Sequence, residues 1–183
     1  MPLRLKKTVV LVGMMGAGKT AVGRALAAKI GAPFLDSDAE IVSAAHRSIP
    51  EIFERDGEAF FRARETEVIR RLLTAPGKSI LSTGGGAFLS PENREMISEL
   101  GVSVFLAADL DLLWSRVGNK DTRPLLRTAN PRATLAEIFA ARAPVYALAD
   151  IEVAGHPTYS IAQMAEKVLA ALHSQGDILE ELP

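Results

Sequence analysis

Cysteine is absent from the 183-residue chain, so no disulfide can contribute to its stability. A chain of this length buries roughly two-thirds of the surface that it exposes when unfolded, and it therefore needs neither disulfides nor a structural metal to stay folded. A lack of cysteine also fits a reducing compartment. We therefore expect a cytoplasmic protein.

Long apolar runs are missing as well, because none reaches the roughly 20 residues that a membrane-spanning helix needs. The basic start of the chain is followed by an apolar run at residues 8–12 that breaks at Gly13. A signal peptide has a longer apolar stretch than this. We therefore expect no membrane partner, and the pattern predicts a first β-strand at residues 8–12.

Charge of one sign is not in excess, since 21 basic and 22 acidic side chains leave a net charge of -1. This argues against a protein that holds nucleic acid by bulk charge, although it leaves room for a local basic pocket. Length and composition indicate a single domain. We place this domain at residues 1–174, expect a loose C-terminal tail at residues 175–183, and expect a monomer.

Short apolar segments alternate with helical patterns along the chain, which predicts an α/β fold with a parallel sheet and helices on both faces. The predicted strands are 8–12, 34–36, 79–82, 102–106 and 150–153. The predicted helices are 19–30, 38–45, a short one capped by Ser48, 58–73, 91–100, 110–117, 134–147 and 160–173. The polar span 118–132 lacks clear periodicity, and loops of that length are usually functional or disordered.

A phosphate-binding loop occupies residues 13–20, which match the pattern G-x-x-x-x-G-K-[ST] in full between a predicted strand and a predicted helix. The glycines let successive backbone N–H groups point at phosphate oxygens, and the helix N-terminus adds partial positive charge. Lys19 can reach the β- and γ-phosphates, and the Thr20 hydroxyl can bind Mg²⁺. The loop predicts a nucleoside triphosphate as ligand without indicating which reaction follows.

An aspartate is missing where most proteins with this loop have one, at the end of a later apolar strand. Here that strand ends in Ser82 and Thr83, and three glycines at residues 84–86 follow. Asp36 and Asp38 instead stand at the end of the second predicted strand. In an open α/β sheet such positions face the ligand crevice, so one acid can bind Mg²⁺ through water and the other can take a proton from a hydroxyl. The alternative is that Asp36 or Ser37 caps the next helix, a common use of these residues.

Arginines supply the expected local positive charge. Arg62 and Glu65 share one helix face, so Glu65 can fix the conformation of a guanidinium suited to gripping a carboxylate. Arg142 stands near a helix end after the irregular span. Arg123, inside that span, is a candidate for neutralising charge during phosphoryl transfer, and Arg116 could pack against a base. For Arg62 and Arg142 the alternative is a solvated surface side chain.

Taken in order, the motifs resemble those of the shikimate kinase family, within the nucleoside monophosphate kinase-like group, over roughly residues 8–172. The motifs are the loop at 13–20, Asp36-x-Asp38, Ile49-x-x-Ile52-Phe53, Gly57-Glu58-x-x-Phe61-Arg62-x-x-Glu65, Gly84-Gly85-Gly86, Arg123-Pro124-Leu125-Leu126 and Arg142-x-x-x-Tyr146. The loop alone occurs in very many families. The combination of Asp-x-Asp, Phe-Arg-x-x-Glu and the triple glycine is much narrower.

The resemblance implies an activity and a fold. The family uses ATP and Mg²⁺ to phosphorylate the 3-hydroxyl of shikimate, giving shikimate 3-phosphate and ADP on the route to aromatic amino acids. The implied fold is a five-stranded parallel sheet of order 2-3-1-4-5 flanked by helices, with residues 118–132 as a mobile lid. Two alternatives remain: another small-molecule kinase such as gluconate kinase, or a nucleotide-binding regulator that has lost transfer.

The resemblance also implies roles for single residues. Thr20 would bind Mg²⁺ directly and Asp36 through water, while Asp38 would hold the shikimate hydroxyls and act as the base. Arg62 and Arg142 would clamp the carboxylate, and Gly84, Gly85 and Gly86 would form the pocket floor against which the ring lies, with the Gly85 N–H offered to the substrate. The residues implied in ATP binding are Gly16, Ala17, Gly18, Lys19, Thr20, Ala21, Arg116 and Arg123, of which Lys19 and Arg123 would also act in catalysis.

The resemblance is weaker after the last predicted strand. Many relatives place a turn there that contacts adenine, whereas this chain has Val153-Ala154-Gly155-His156-Pro157. The adenine contacts on that side therefore stay open. The three histidines of the chain show no metal-ligand spacing, and we interpret them as surface or structural residues.

Overall fold

A computed structural model describes residues 2–118 and 126–183 of the chain. The strands are β1 (Leu3–Leu5), β2 (Thr8–Val12), β3 (Phe34–Asp36), β4 (Ile80–Ser82), β5 (Gly101–Ala107), β6 (Ile151–Ala154) and β7 (Leu179–Glu181). The helices are α1 (Lys19–Ile30), α2 (Ser37–Ala45), α3 (Ile49–Asp56), α4 (Glu58–Thr74), α5 (Pro91–Leu100), α6 (Leu110–Val117), α7 (Pro131–Tyr146) and α8 (Ile161–Ser174). A 3-10 turn, Ala87–Leu89, follows the three glycines.

Five strands form a parallel sheet in the order β3-β4-β2-β5-β6. Counted along the chain within this sheet, the order is 2-3-1-4-5, which confirms the predicted topology. The central strand β2 is buried along its whole length, as expected for a run of β-branched and aliphatic residues covered on both faces. The α/β class is therefore confirmed, and the carboxyl edge of the sheet is where the candidate site residues collect.

The register of the strands explains why the candidate site residues lie together at that edge. Leu11 of β2 pairs with Ser82 of β4, which in turn pairs with Asp36 of β3. Strands β2, β3 and β4 therefore end side by side, and the phosphate loop, Asp36 and the glycines leave the sheet at neighbouring points. This is the crevice in which open α/β sheets bind ligands.

Most predicted helix boundaries agree with the structure within one or two residues. Helix α7 is an exception, because it begins at Pro131 and not at residue 134. Asn130 accepts a hydrogen bond from the backbone N–H of Ala133, and Pro131 in the first turn loses no needed donor. Residues 131 and 132 therefore belong to a helix and not to the irregular span, of which residues 119–125 lie outside the described part of the chain.

The C-terminal residues correct one expectation. The sequence predicts a loose tail from residue 175, whereas β7 pairs antiparallel with β1 at the other end of the chain. Ile178 is 2% exposed, and the carbonyl of this residue accepts a hydrogen bond from the Lys6 backbone N–H at 2.8 Å. The apolar Ile178 side chain packs in the core, a contact that the short polar segment around it gave little reason to expect.

Among the helices of the described ranges, none combines the length and the apolar character that a membrane-spanning helix requires.

Candidate functional site

The phosphate loop closes tightly at the N-terminus of α1. Gly16 and Gly18 have φ values of 82° and 94°, which side-chain-bearing residues rarely adopt. Gly18 is the N-cap residue of α1, so the first N–H groups of the helix can serve an anion. Lys19 Nζ lies over the loop, where it donates to the carbonyls of Gly13 and Met14, at 3.3 Å to the second. The predicted anion-binding arrangement is therefore present in the backbone.

A cavity of about 820 Å³ opens beside this loop. Arg116 reaches it from α6, and Nη1 of this residue donates to the carbonyl of Gly16 at 2.9 Å. The lining residues are Met14, Met15, Gly16, Ala17, Gly18, Lys19, Thr20, Ala21, Val22, Ala107, Ala108, Leu112, Ser115, Arg116, Gly155, His156, Pro157, Tyr159, Ser160, Ile161 and Met164. Every described residue that the sequence assigned to ATP borders this one cavity.

The stretch after β6 forms the far wall of this cavity, a role that the sequence left open. The Gly155 N–H donates to the Ala107 carbonyl at 2.6 Å, which brings the segment beside the end of β5. The rings of His156 and Tyr159 pack against each other at an interplanar angle of 47°, with centroids 5.4 Å apart, and both residues line the cavity. Sequence reasoning missed both rings, although the sheet order 2-3-1-4-5 places the end of the last strand on this side and could have indicated them.

Asp36 caps α2, so the structure bears out the alternative use of this residue. Oδ1 of Asp36 accepts hydrogen bonds from the backbone N–H groups of Asp38 and Ala39 at 2.9 and 3.2 Å. Oδ2 takes part in neither bond. Capping and metal binding are therefore compatible, since the two capping bonds use Oδ1 alone.

Asp38 is half-buried, and the Oδ1 atom of this residue has no hydrogen-bond partner among the described residues. Burial raises the pKa of Asp38, and the nearby Asp36 charge raises it further, while Lys19 and Arg62 oppose both effects. A carboxylate with a raised pKa is a stronger proton acceptor than an ordinary one. The environment of Asp38 is thus suited to the base that the sequence predicts.

Each of the three glycines lies against one charged side chain. A β-carbon would lie 2.7 Å from Asp38 Oδ1 at Gly84, 3.0 Å from Arg142 Nη1 at Gly85, and 2.5 Å from Arg62 Nη1 at Gly86. The sequence predicts that the missing side chains make room for a ring of the substrate. The structure shows that the room is filled by charged groups, so the glycines let Asp38, Arg142 and Arg62 converge on one turn.

Arg62 is held from two sides on its own helix. Nη1 donates to Glu65 Oε1 at 2.9 Å, and Nε lies 3.6 Å from Glu58 Oε1. Glu65 is 1% exposed, and burial raises the pKa of this carboxyl against the opposing effect of Arg62. Arg64 points elsewhere and pairs with Glu67, as its position two residues along the helix predicts. The predicted pairing of Arg62 with Glu65 is confirmed.

Tyr146 anchors Arg142 and the glycine turn, which is defined here as residues 84–86. The hydroxyl of Tyr146 donates to the carbonyl of Gly85, and burial raises the pKa of the phenol while Arg142 lowers it. The sequence contains this tyrosine in the motif Arg142-x-x-x-Tyr146, four residues after the arginine and so on the same helix face. Sequence reasoning assigned it no role.

Arg123 lies outside the described residues, and its predicted contact with phosphate stays a prediction. Within residues 2–118 and 126–183, no group of three or more His, Cys, Asp or Glu side chains could hold a metal ion.

The chain is similar to known proteins along most of its length. The family model described as shikimate kinase matches residues 15–173. A protein named shikimate kinase from Ruegeria pomeroyi is 66% identical over 176 residues, which is 96% of this chain and 90% of the relative. The match to the family model includes the phosphate loop from Met15 onward, Arg62, Arg142 and the last helix up to His173.

Solved structures give the same result. A structure of shikimate kinase from Acinetobacter baumannii in complex with shikimate has a TM-score of 0.84 and 38% identity, covering 92% of this chain and 94% of that one. A gluconokinase structure from Sinorhizobium meliloti has a TM-score of 0.64 at 20% identity, with 94% of each chain covered. The second likeness shows the fold alone.

Proposed function

The chain belongs to the shikimate kinase family, and from this premise we propose that it transfers the γ-phosphoryl group of ATP to the 3-hydroxyl of shikimate. The products are shikimate 3-phosphate and ADP, in the synthesis of aromatic amino acids. We further propose that the protein acts in the cytoplasm as a monomer, without nucleic acid or membrane partners.

One observation carries the choice of acceptor. A carboxylate, Asp38, and two guanidinium groups, Arg62 and Arg142, converge on the glycine turn at the same edge of the sheet as the phosphate loop. A small acceptor that bears both hydroxyls and a carboxylate satisfies these three groups together. Planar guanidinium groups are the usual partners of a carboxylate, and an acidic side chain is the usual partner of hydroxyls that must lose a proton.

Asp38 is proposed as the general base. The substrate hydroxyl gives its proton to Asp38, its oxygen forms a bond to the γ-phosphorus, and the bond from that phosphorus to the bridging oxygen breaks. ADP leaves with the electron pair of that bond. The raised pKa of Asp38 increases its affinity for the proton as the hydroxyl attacks.

Thr20 and Asp36 are the residues that we propose to hold Mg²⁺, Thr20 directly and Asp36 through water. A hydroxyl and a carboxylate are oxygen donors of the kind that this ion takes, and Asp36 keeps one oxygen outside its helix cap. When bound, Mg²⁺ neutralises charge on the transferring phosphoryl group. The acid missing after β4 is thus replaced by Asp36 on the neighbouring strand.

Lys19 and the loop N–H groups are proposed to bind the phosphates, and Arg116 to pack against the base. Lys19 donates to loop carbonyls in the structure, so we expect it to exchange these acceptors for phosphate oxygens when ATP binds. Residues 16–21 complete the proposed ATP site. Arg123, which lies outside the described residues, is proposed to add positive charge at the γ-phosphate during transfer.

A coupled assay of ADP release tests the proposal directly. Purified protein with ATP and Mg²⁺ should turn over with shikimate and not with gluconate, because relatives up to 66% identical carry the name shikimate kinase while the gluconokinase likeness is limited to the fold. Omission of Mg²⁺ should abolish turnover. Binding of ATP without transfer to shikimate would contradict the proposed function and revive a regulatory role.

A further inference from the structure

Two buried side chains bond to the backbone of the glycine turn and of the residue after it. Tyr146 donates to the carbonyl of Gly85 at 2.5 Å, and Asn93 Nδ2 donates to the carbonyl of Ala87 at 2.9 Å. Asn93 is 1% exposed and Tyr146 is fully buried. Hydrogen bonds in such surroundings are strong, and a partner left unpaired there is costly. The backbone of the turn is therefore fixed from both sides.

Asn93 extends this network to α4. Thr66 Oγ1 lies 2.8 Å from Asn93 Oδ1. The Nδ2 of Asn93 already serves the Ala87 carbonyl, so the Oδ1 that faces Thr66 must accept, and the Thr66 hydroxyl must donate. Thr66 stands one helical turn after Arg62. Through Asn93, α4 is therefore bonded to the glycine turn next to the point where Arg62 contacts it.

Helix α7 repeats this arrangement. Arg142 contacts Gly85, and Tyr146, one helical turn later, donates to the carbonyl of the same glycine. Each helix that carries an arginine of the pocket is thus tied to the turn by the residue four positions after that arginine.

We propose that Thr66, Asn93 and Tyr146 are positioning residues that set the separation of the Arg62 and Arg142 guanidinium groups across the glycine turn. By fixing that separation they select an acceptor with a carboxylate at the matching place. Recognition of a carboxylate by arginine depends on geometry, so a small displacement of either group costs affinity for that carboxylate specifically. This inference rests on the proposed function, because it assigns both arginines to the carboxylate of the substrate.

Thr66 offers the sharpest test, because it is only partly buried and its variants are expected to fold. Thr66→Val removes the hydroxyl at nearly constant shape, and Thr66→Ser retains it. Thr74→Val is the matched control. The Thr74 hydroxyl lies 2.8 Å from the carbonyl of Arg70 four residues earlier in α4, just as the Thr66 hydroxyl lies 3.1 Å from that of Arg62, but Thr74 has no link to the turn. Thermal unfolding of all three variants verifies that each is folded.

The variants are expected to change KM for shikimate and not KM for ATP. Thr66→Val should raise KM for shikimate about 3- to 10-fold, the range that the loss of one hydrogen bond spans, while KM for ATP changes less than about 2-fold. Thr66→Ser and Thr74→Val should retain both wild-type constants. Tyr146→Phe, which removes the donor to Gly85 and the hydroxyl that bonds with Arg142, should act in the same direction as Thr66→Val.

An acceptor analogue separates positioning from general damage. A shikimate analogue with a primary alcohol in place of the carboxylate cannot use the two arginines as a clamp. Wild type should bind the analogue more weakly than shikimate. Thr66→Val should weaken the binding of shikimate but not of the analogue. The ratio of the affinity for shikimate to that for the analogue should therefore fall by about 3- to 10-fold.

Four outcomes would contradict a claim: three of them overturn the positioning role, and the fourth overturns the proposed function. Equal losses for shikimate and the analogue, or equal effects of Thr66→Val and Thr74→Val, would show a structural role and overturn the positioning role. An unchanged KM for shikimate in a folded Thr66→Val protein would overturn it as well. A wild-type protein without shikimate turnover would overturn the proposed function before any variant is compared.

Discussion

Gly86 lies against the guanidinium group of Arg62, so closely that a β-carbon at this position would lie 2.5 Å from Nη1. The backbone of Gly86 has φ −89° and ψ −12°, a conformation open to any residue. Glycine is therefore needed here for space and not for its conformational freedom. The absence of side chains in the glycine turn thus provides the space in which the charged side chains around it pack.

Gly86→Ala should disturb the pocket for the acceptor and leave the nucleotide cavity intact. The added methyl group must displace Arg62, so we expect KM for shikimate to rise at least about 10-fold, with KM for ATP within about 2-fold of wild type. Steady-state kinetics with each substrate varied in turn measures both constants. Gly77→Ala is the control, because a β-carbon at Gly77 would meet nothing within 4 Å. Equal effects of the two alanines would contradict the spatial role of Gly86.

Gly85→Val should block turnover of shikimate while sparing ATP binding. A β-carbon at Gly85 would already lie 3.0 Å from Arg142 Nη1 and 3.7 Å from the Tyr146 hydroxyl, and the two methyl groups of valine need further space. Calorimetric titration with ADP should give an affinity within about 2-fold of wild type, while the coupled assay shows a loss of at least about 100-fold. A variant that turned over shikimate normally would show that Arg142 is not needed where the structure places it.

Asp38→Asn tests the base and has opposite effects on activity and stability. Turnover should fall by about 100-fold or more, the range in which a general base contributes, while ATP binding persists. Because the pKa of Asp38 is raised above 3.8 by burial and by Asp36, the acid limb of kcat/KM for shikimate in wild type should lie above pH 3.8. A limb at or below this pH would contradict the raised pKa.

The stability effect follows from the same pKa. Between pH 3.8 and the raised value, folded protein holds a proton on Asp38 that the unfolded chain releases, so stability from this group falls as the pH rises through that window. Asp38→Asn removes the penalty, and Tm at neutral pH should be higher than that of wild type. The difference should disappear below pH 3.8, and a lower Tm for the variant at pH 7 would contradict this account.

The sequence predicted those features that depend on periodicity and local motifs. The phosphate loop and the pairing of Arg62 with Glu65 follow from spacing along the chain, whereas the strand order was implied by the resemblance to the shikimate kinase family. Contacts between segments far apart in the chain could not be predicted in this way. The bond from Tyr146 to Gly85, the position of His156 in the cavity wall and the pairing of β7 with β1 exist only once the sheet has brought these segments together.

A pair of variants distinguishes the two roles of Asp36, which are capping of α2 and binding of Mg²⁺. Asparagine caps a helix about as well as aspartate, so Asp36→Asn should keep the stability of α2 and lose only the charge. Asp36→Ala should lose the cap as well and lower the free energy of unfolding by about 1 kcal/mol. If Asp36 helps to hold Mg²⁺, both variants should need more Mg²⁺ for half-maximal turnover, in a titration at fixed ATP.

The same pair tests the electrostatic link to Asp38. Since the Asp36 charge is one cause of the raised pKa of Asp38, Asp36→Asn should move the acid limb of kcat/KM to lower pH. If both variants needed the same Mg²⁺ concentration as wild type, Asp36 would have no role in metal binding and would act only as a helix cap.

Ile178 provides the test of the C-terminal pairing. Its side chain is 2% exposed and belongs to the hydrophobic core, although it lies in a segment that the sequence predicted to be loose. Truncating a buried isoleucine removes transfer free energy and leaves a cavity, so Ile178→Ala should lower the free energy of unfolding by about 2–4 kcal/mol. Glu181→Ala, on the exposed end of β7, should change it by less than about 0.5 kcal/mol.

Urea unfolding measures both, and KM for ATP and shikimate should stay at wild-type values, because the β1–β7 pair includes no residue of the candidate site. If Ile178→Ala were as stable as wild type, the core packing of the Ile178 side chain would contribute nothing to the anchoring of the C-terminal segment.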